Sequence, residues 1–118
     1  MGLKIFTRTL GPVAVVNCSG RIVFGEEAAE LREKIKGLLG ETRQIVLDLG
    51  GVTYIDSGGL GTLVGLYSSA RAAGGEIKLA NLTQRVRDLL QITKLMTVFD
   101  CYDNVDAATA AFQKRATA

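Results

Sequence analysis

The fold is decided by residues 45–61, which read IVLDLGGVTYIDSGGLG. Within this stretch, residues 45–49 form a short run rich in β-branched side chains and are predicted to be a central strand. Apolar side chains then recur at helical spacing from residue 60 to residue 72, which predicts a helix that ends before Gly74. A buried strand that leads through a glycine-rich connection into a helix is typical of an α/β domain.

The sequence before this stretch predicts a β-hairpin and a helix. Residues 4–8 alternate polar and apolar side chains, as an edge strand does, and a Gly-Pro pair at residues 11–12 turns the chain. Residues 13–18 form a more apolar strand, which is expected to pair with the first. Residues 26–39 carry an apolar stripe at helical spacing, and Gly40 is placed to end this helix.

The sequence after the stretch predicts two further strand–helix units. Residues 77–80 form one strand, and Thr83 is a suitable N-cap for the helix that follows. Residues 97–99 form a last short strand, and Asp103 or Asn104 caps a final helix.

Together these elements predict a single α/β domain over residues 1–115. Its sheet is expected to be mixed and mostly parallel, with four to five strands and about four helices packed on it. Residues 116–118 are expected to form a disordered tail. We find no linker, internal repeat or low-complexity segment in the sequence.

The composition excludes several classes of function. The chain has 118 residues, 47% of them hydrophobic, which is enough for one domain with its own core. Its 14 basic and 12 acidic residues leave a net charge of +2 without a basic block, so nucleic acid is not an expected partner. The longest uncharged stretch, residues 57–70, is shorter than the ~20 apolar residues that a membrane span needs.

The chain also lacks the residues that most enzymes and metal sites use. It has no histidine, which removes the commonest general base and the commonest zinc ligand. Cys18 and Cys101 are far apart in the sequence and cannot complete a tetrahedral zinc site alone, so they are expected to be reduced thiols. The sequence therefore predicts no catalytic residue, no metal and no cofactor.

Three enzyme motifs do not fit the glycine-rich connection. A nucleophile elbow needs a glycine two residues before Ser57, but that position is Ile55. A phosphate-binding P-loop needs a Gly-Lys-Ser or Gly-Lys-Thr triplet, which is absent. The glycines at positions 59, 61 and 65 loosely match a dinucleotide fingerprint, but they begin well beyond Leu49. These mismatches disfavour a small enzyme or nucleotide binder.

Ser57 is predicted to lie at or near the N-terminus of the second helix. Free backbone N–H groups and the positive end of the helix dipole collect there. Asp56 or Ser57 can cap this helix by accepting a hydrogen bond from a first-turn N–H group. Capping explains one of the two residues but not the glycines that follow.

The glycines after Ser57 have two interpretations. Gly58 and Gly59 have no side chains and would let an anion or a partner's backbone approach the hydroxyl. Gly61 and Gly65 are four residues apart and so share one helix face. We interpret this second pair as letting the helix lie close to the sheet.

The segment from residue 45 to residue 61 resembles the signature of bacterial anti-sigma factor antagonists, which belong to the STAS domain family. The core of that signature, Asp-Ser-x-Gly-Leu-Gly, matches residues 56–61. The resemblance covers nearly the whole chain and continues through Gly20, the Gly-Gly pair at residues 74–75 and residues 81–90. It implies a STAS-like fold.

The resemblance also implies a phosphorylation switch. In such proteins the serine that matches Ser57 is phosphorylated by an anti-sigma factor that is itself an ATP-dependent serine kinase. The unphosphorylated form binds this kinase and frees the sigma factor, the phosphorylated form lets go, and a phosphatase resets it. The chain would then be a cytoplasmic binding module and a kinase substrate, without enzymatic activity. The expected partner-binding residues are Asp56, Gly58, Gly59, Thr62, Asn81, Thr83 and Gln84.

The chain departs from the family's pattern at two places. Gly58 stands where the family often has serine or threonine, which leaves a single hydroxyl at the site. The loop after Gly20 commonly carries an aspartate, but this chain has Val23 and Phe24 there. The second departure motivates an alternative function, that of a STAS scaffold or accessory subunit without a phosphorylation switch, in a stressosome-like assembly or a lipid ABC transporter.

Overall fold

The structure, a computed structural model, describes residues 2–117, with side chains up to residue 113. After an opening hairpin, helices and strands alternate along the chain. The elements in order are β1 (Leu3–Leu10), β2 (Val13–Ile22), α1 (Glu26–Leu39), β3 (Gln44–Ile55), α2 (Ser57–Ala72), β4 (Glu76–Ala80), α3 (Gln84–Ile92), a 3₁₀ turn (Leu95–Thr97), β5 (Asp100–Tyr102) and α4 (Val105–Thr117).

The five strands form one mixed sheet in the order β1-β2-β3-β4-β5. The β1–β2 pair is antiparallel, and the other three pairs are parallel. A parallel pair needs a crossover connection, and α1, α2 and α3 supply the three crossovers. The predicted α/β class, with its mostly parallel sheet and four helices, is confirmed.

Helices cover both faces of the sheet. Successive side chains of a strand point to opposite faces, and those of β2 accordingly join two separate hydrophobic clusters. The larger cluster lies under α1, α2 and α3, which contribute the buried residues Leu31, Leu63 and Leu90. The smaller cluster lies under α4, which contributes Ala108 and Phe112.

The predicted ends of several helices are confirmed by their capping bonds. The bounds of α1 agree with the sequence, and Gly40 closes this helix with its N–H group on the carbonyl of Gly37. The Thr83 hydroxyl accepts the N–H of Val86 at 3.2 Å and caps α3. Of the two candidates for α4, Asn104 is the cap, because its side chain accepts the N–H group three residues on at 2.7 Å.

The last strand is not where the sequence places it. The prediction of residues 97–99 is wrong, because Thr97 ends a 3₁₀ turn and Phe99 is buried in the larger cluster. The ring of Phe99 meets the ring of Tyr67 edge-on, with 5.4 Å between centroids. The strand itself, β5, follows at the point where the chain comes alongside Lys78 to Ala80 of β4.

Several elements are longer than predicted. β3 continues past residue 49 to Ile55, because it stays paired with β2 after β4 has ended at Ala80. The next helix, α2, begins at Ser57 and not at residue 60. At the other end of the chain, α4 includes Ala116 and Thr117 of the expected tail, and Ala118 lies outside the described residues.

A buried lysine lies between β4 and α4. Lys78 is 1% exposed, and its Nζ atom lies 2.9 Å from Glu76 and 3.1 Å from Asp100. The same atom lies 4.8 Å from the ring centroid of Phe112 and 5.4 Å from that of Tyr102. Burial by itself lowers the pKa of Lys78, but the hydrogen bonds to the two carboxylates outweigh burial and raise it.

Candidate functional site

Ser57 is the first residue of α2 and directly follows its cap. Its side chain is exposed, and its hydroxyl makes no hydrogen bond to any residue that the structure describes. The first turn of a helix leaves backbone N–H groups without intrahelical partners, and these form the positive end of the helix dipole. The Ser57 hydroxyl is therefore open to modification at a position that favours added negative charge.

The cap of α2 is Asp56, one of the two candidates from the sequence. Its Oδ1 atom accepts the N–H of Gly59 at 2.7 Å. Both carboxylate oxygens also lie 3.1 Å from the backbone nitrogen of Phe24, which donates to them. The hydrogen bonds from Gly59 and Phe24 lower the pKa of Asp56. This carboxylate ties the β2–α1 loop to the start of α2.

Gly59 is required where α2 passes the end of β2. It is buried, and a Cβ atom at this position would collide with the carbonyl oxygen of Ile22. The backbone of α2 can approach β2 this closely only without a side chain. Gly59 thus faces the protein interior, although it is one of the residues predicted to bind the partner.

Phe24 belongs to the site but is not among the residues predicted for it. Its side chain is 82% exposed. A Cβ atom at Gly58 would lie 2.5 Å from the Cβ of Phe24 and 3.0 Å from the nearest ring atom. The sequence does show that Val23 and Phe24 stand where an aspartate is expected. It does not show that Phe24 contacts Gly58, because the two residues are far apart along the chain.

The glycines at positions 61 and 65 do not pack on the sheet. Both are exposed, and a Cβ atom at either would meet nothing within 4 Å. The interpretation that they bring α2 close to the sheet is therefore wrong. The face of α2 that packs inward is formed instead by Gly59, Leu63 and Leu66.

An open groove of about 510 Å³ runs between α1 and α2. Most side chains on the α2 side are small, among them Gly58, Thr62 and Ser69, and the larger Leu66 is buried. The Thr62 hydroxyl is not free, because it donates to the carbonyl of Gly58 at 3.0 Å. Arg32 of α1 borders the opposite side.

The three predicted partner-binding residues of the loop after β4 make hydrogen bonds of their own. Asn81 donates to the carboxylate of Asp48 at 3.2 Å, Thr83 caps α3, and Gln84 donates to Asp88 of its own helix. Asp48 lies about 23 Å along β3 from Ile55, at the usual rise of a strand. No hydrogen bond joins this loop to Asp56 or Ser57.

The part of β3 that extends beyond β4 is covered by α3. Arg85 donates to the carbonyl of Thr53 at 3.3 Å and lies 6.0 Å from the ring centroid of Tyr54. The start of α3, whose first residue is Gln84, therefore lies beside the part of β3 that leads to Asp56 and Ser57.

Other reactive chemistry is sparse in the described part of the chain. Both cysteines are free, and burial raises the pKa of the Cys18 thiol to about 12, so this thiol stays protonated. Among residues 2–117, no group of three or more Cys, Asp or Glu side chains is arranged to hold a metal ion. No described helix combines the length and the apolar character that crossing a membrane requires.

Comparison with known proteins matches this chain to one family. The sequence pattern of the STAS domain matches residues 4–108. A relative from Bacillus subtilis (strain 168), the anti-sigma-B factor antagonist, is 38% identical over 86 residues, which are 72% of this chain and 77% of the relative.

Solved structures show the same fold. An anti-sigma factor antagonist from Mycobacterium paratuberculosis superposes with a TM-score of 0.79 at 24% identity, over 92% of each chain. The unphosphorylated form of the anti-sigma factor antagonist SpoIIAA superposes with a TM-score of 0.71 at 17% identity, over 94% of this chain and 98% of that one.

Proposed function

The chain belongs to the STAS domain family, and on that premise we propose that it is an anti-sigma factor antagonist switched by phosphorylation of Ser57. In this proposal the unphosphorylated form binds an anti-sigma factor that is a serine kinase, and the sigma factor is released. Phosphorylation of Ser57 ends the binding, and a phosphatase restores it. The observation that carries the proposal is the exposed, unbonded hydroxyl of Ser57 at the start of α2.

The position of Ser57 suits a phosphate. A phosphoserine adds about −1.5 to −2 charges at neutral pH, and a helix N-terminus stabilises an anion by typically 0.3–1 kcal/mol. The fold should therefore tolerate the modification. The neighbouring carboxylate of Asp56 is already held by the N–H groups of Gly59 and Phe24, so it stays in place as the charge arrives.

The size of the electrostatic effect is sufficient for a switch. A thousandfold loss of affinity corresponds to ~4 kcal/mol. One added charge about 5 Å from a like charge on the partner, at an effective dielectric constant of ~20, costs ~3 kcal/mol before screening by salt. A single phosphate of nearly two charges can therefore release a bound partner that presents negative charge near Ser57.

In this proposal the chain is a substrate and a binding partner, and it catalyses nothing. The kinase supplies ATP and its metal ion, and the chain itself uses no cofactor. Sigma factors act on RNA polymerase, so the protein is assigned to the cytoplasm.

The test is a pull-down from the lysate of the source organism with three baits: wild type, Ser57→Asp and the control Ser19→Asp. Ser19 is also exposed, and its neighbour Cys18 belongs to the cluster under α1–α3, so Ser19 points to the opposite face of the sheet. We expect an ATP-binding serine kinase on wild type and on Ser19→Asp but not on Ser57→Asp. Incubation of the captured kinase with ATP should then add one phosphate, located by mass spectrometry at Ser57.

The alternative function gives a different outcome. A constitutive STAS scaffold would retain the same partners on all three baits. Permease or ATPase subunits without a kinase would identify such a scaffold and would contradict the proposed switch.

A further inference from the structure

We propose that the groove between α1 and α2 docks a helix of the anti-sigma partner, and that this helix presents carboxylates four residues apart. The inference rests on the proposed function for the identity of the partner, but the groove and its charge are properties of this chain alone. The proposed binding surface extends beyond Ser57 along the groove. The segment that binds there is predicted to be acidic.

The shape of the groove suits a helix. It extends along α2 from Gly58 to Ser69, a rise of about 16 Å, which matches about three turns of a partner helix. At Gly61 and Gly65 the α2 side of the groove has no side chain, and a Cβ atom at either position meets open space. The spacing between packed helices depends on the side chains at the contact, so the backbone of a partner helix can approach closely here.

The two sides of α1 carry different charged residues. Arg32 and Lys36 border the groove, and no acidic residue borders it with them. Glu30 and Glu33 lie on the other side of the same helix, together with Lys34. Neither Arg32 nor Lys36 forms an ion pair with any residue that the structure describes. The groove therefore presents two exposed cations and no acidic side chain among the residues that line it.

The spacing of these cations defines the complementary segment. Arg32 and Lys36 are four positions apart on α1, which places their Cβ atoms about 6 Å from each other on one face. Two carboxylates at the same spacing on a partner helix can pair with both. A second copy that met this groove with its own groove would bring the same two cations against the first pair.

Phe24 and Ser57 lie at one end of the groove. Phe24 is exposed and borders the groove beside Gly58, and exposed aromatic side chains commonly anchor protein interfaces. A phosphate on Ser57 would place its negative charge at this same end. An acidic helix would then be repelled by the modification, which connects the docking surface to the switch.

The first experiment uses a defined probe in place of the unidentified partner. The probe is a side-chain-crosslinked helical peptide of about twelve residues, with alanine on one face and two glutamates four positions apart; crosslinking is needed because such short helices are marginal in water. It is titrated into the full-length ¹⁵N-labelled protein and compared with the same peptide carrying lysines. We expect the acidic peptide to shift the amide resonances of Gly61 and Gly65, and the basic peptide to leave them unchanged. Equal shifts with both peptides, or shifts confined to other elements, would overturn the proposal.

Two matched variants test the charge. Lys36→Glu reverses a cation in the groove, and Lys34→Glu makes the same change two residues away on the other side of α1. We expect Lys36→Glu to weaken the acidic peptide roughly fivefold or more, since an exposed attraction of up to ~1 kcal/mol becomes a repulsion. Lys34→Glu should have the smaller effect. An equal loss in the two variants would assign the attraction to net charge and would contradict a specific groove.

A third variant separates this inference from the proposed function. Gly61→Leu adds a side chain where the structure has open space, and leucine favours a helix more than glycine does, so the fold should persist. If wild type retains the kinase and Gly61→Leu does not, the docking surface is supported. Retention of the kinase by both Gly61→Leu and Lys36→Glu would overturn the groove and leave the Ser57 switch standing. Loss of the switch together with binding of the acidic peptide in the groove would contradict the proposed function alone.

Discussion

A side chain at position 58 would place its Cβ atom 2.5 Å from the Cβ atom of Phe24. This relationship joins the two departures from the family's pattern, because Phe24 belongs to the loop that lacks the expected aspartate and lies against the glycine at the position of the expected serine or threonine. Phe24 cannot move aside freely, since its N–H group is held by both oxygens of Asp56. The proposed phosphorylation site therefore has one hydroxyl, that of Ser57.

Gly58→Ala should destabilise the protein, whereas the matched change Gly61→Ala should stabilise it. Replacing glycine by alanine within a helix ordinarily raises the free energy of unfolding by as much as about 1 kcal/mol. At position 61 the added methyl group meets open space, but at position 58 it meets Phe24, and such overpacking costs typically 1–3 kcal/mol. Urea unfolding monitored by circular dichroism measures both variants.

The double variant Phe24→Gly with Gly58→Ala is the control for this prediction, because it removes the opposing Cβ atom. In the Phe24→Gly variant, Gly58→Ala should reduce the free energy of unfolding by less than it does in the wild type. Equal stabilisation by Gly58→Ala and Gly61→Ala would show that the β2–α1 loop yields without cost.

Asp56 should make stability depend on pH in the acid range. Its folded-state pKa is lowered by the N–H groups of Gly59 and Phe24, so its contribution is present above the ordinary aspartate pKa, about 3.9, and is lost as the pH falls through the lowered value. Asp56→Asn retains a capping side chain but does not titrate. Unfolding of both proteins between neutral pH and about pH 2 should show their difference in stability shrinking or reversing toward acid. Parallel curves would show that the charge of Asp56 contributes nothing.

Lys78 should make stability depend on pH in the alkaline range. Its folded-state pKa is raised, so its contribution is complete below the ordinary lysine pKa, about 10.4, and is lost as the pH rises through the raised value. Lys78→Met keeps an apolar chain of similar length beside Phe112 without the charge. The stability of wild type relative to Lys78→Met should therefore fall as the pH rises above about 10.4. A pH-independent difference would contradict a role for the ammonium group.

Lys78→Ala, which truncates the side chain, should reduce the free energy of unfolding more than Lys78→Met, which replaces it by a neutral chain of similar length. Lys78→Ala leaves a cavity under α4 and separates Glu76 and Asp100 from their cation, for which about 2–4 kcal/mol is expected. Lys78→Met should cost less, because hydrophobic replacement of a buried charge is often nearly neutral. Thermal and denaturant unfolding at neutral pH compares the two.

Ser57 should accept negative charge without loss of fold. Ser57→Asp places a carboxylate at the positive end of the α2 dipole, and its stability should remain within about 1 kcal/mol of wild type or exceed it. Ser57→Lys, of opposite charge at the same site, should be less stable than Ser57→Asp. Thermal unfolding at low ionic strength measures the difference, and addition of salt should reduce it. A large loss in Ser57→Asp would mean that its effect on binding reflects unfolding.

The parts of the site that lie close together in the sequence could be predicted from it. Asp56 and Ser57 stand between a strand run and a helical stripe, and capping chemistry places one of them at the helix start. The spacing of Gly61 and Gly65 also predicts that they share one face of the helix. It does not predict whether that face contacts the sheet or the solvent. That choice belongs to packing, in which Leu63 and Leu66 took the inward positions.

The sequence by itself determined the order of elements, the bounds of α1 and the location of Ser57 at a helix start, because periodicity and capping act over a few residues. Tertiary structure decided the rest. The length of β3 depends on how far β2 stays in register with it, and the position of β5 depends on where the chain meets β4. The contact of Phe24 with Gly58 likewise joins residues far apart in the chain. Such contacts depend on strand register and helix packing, which no local pattern specifies.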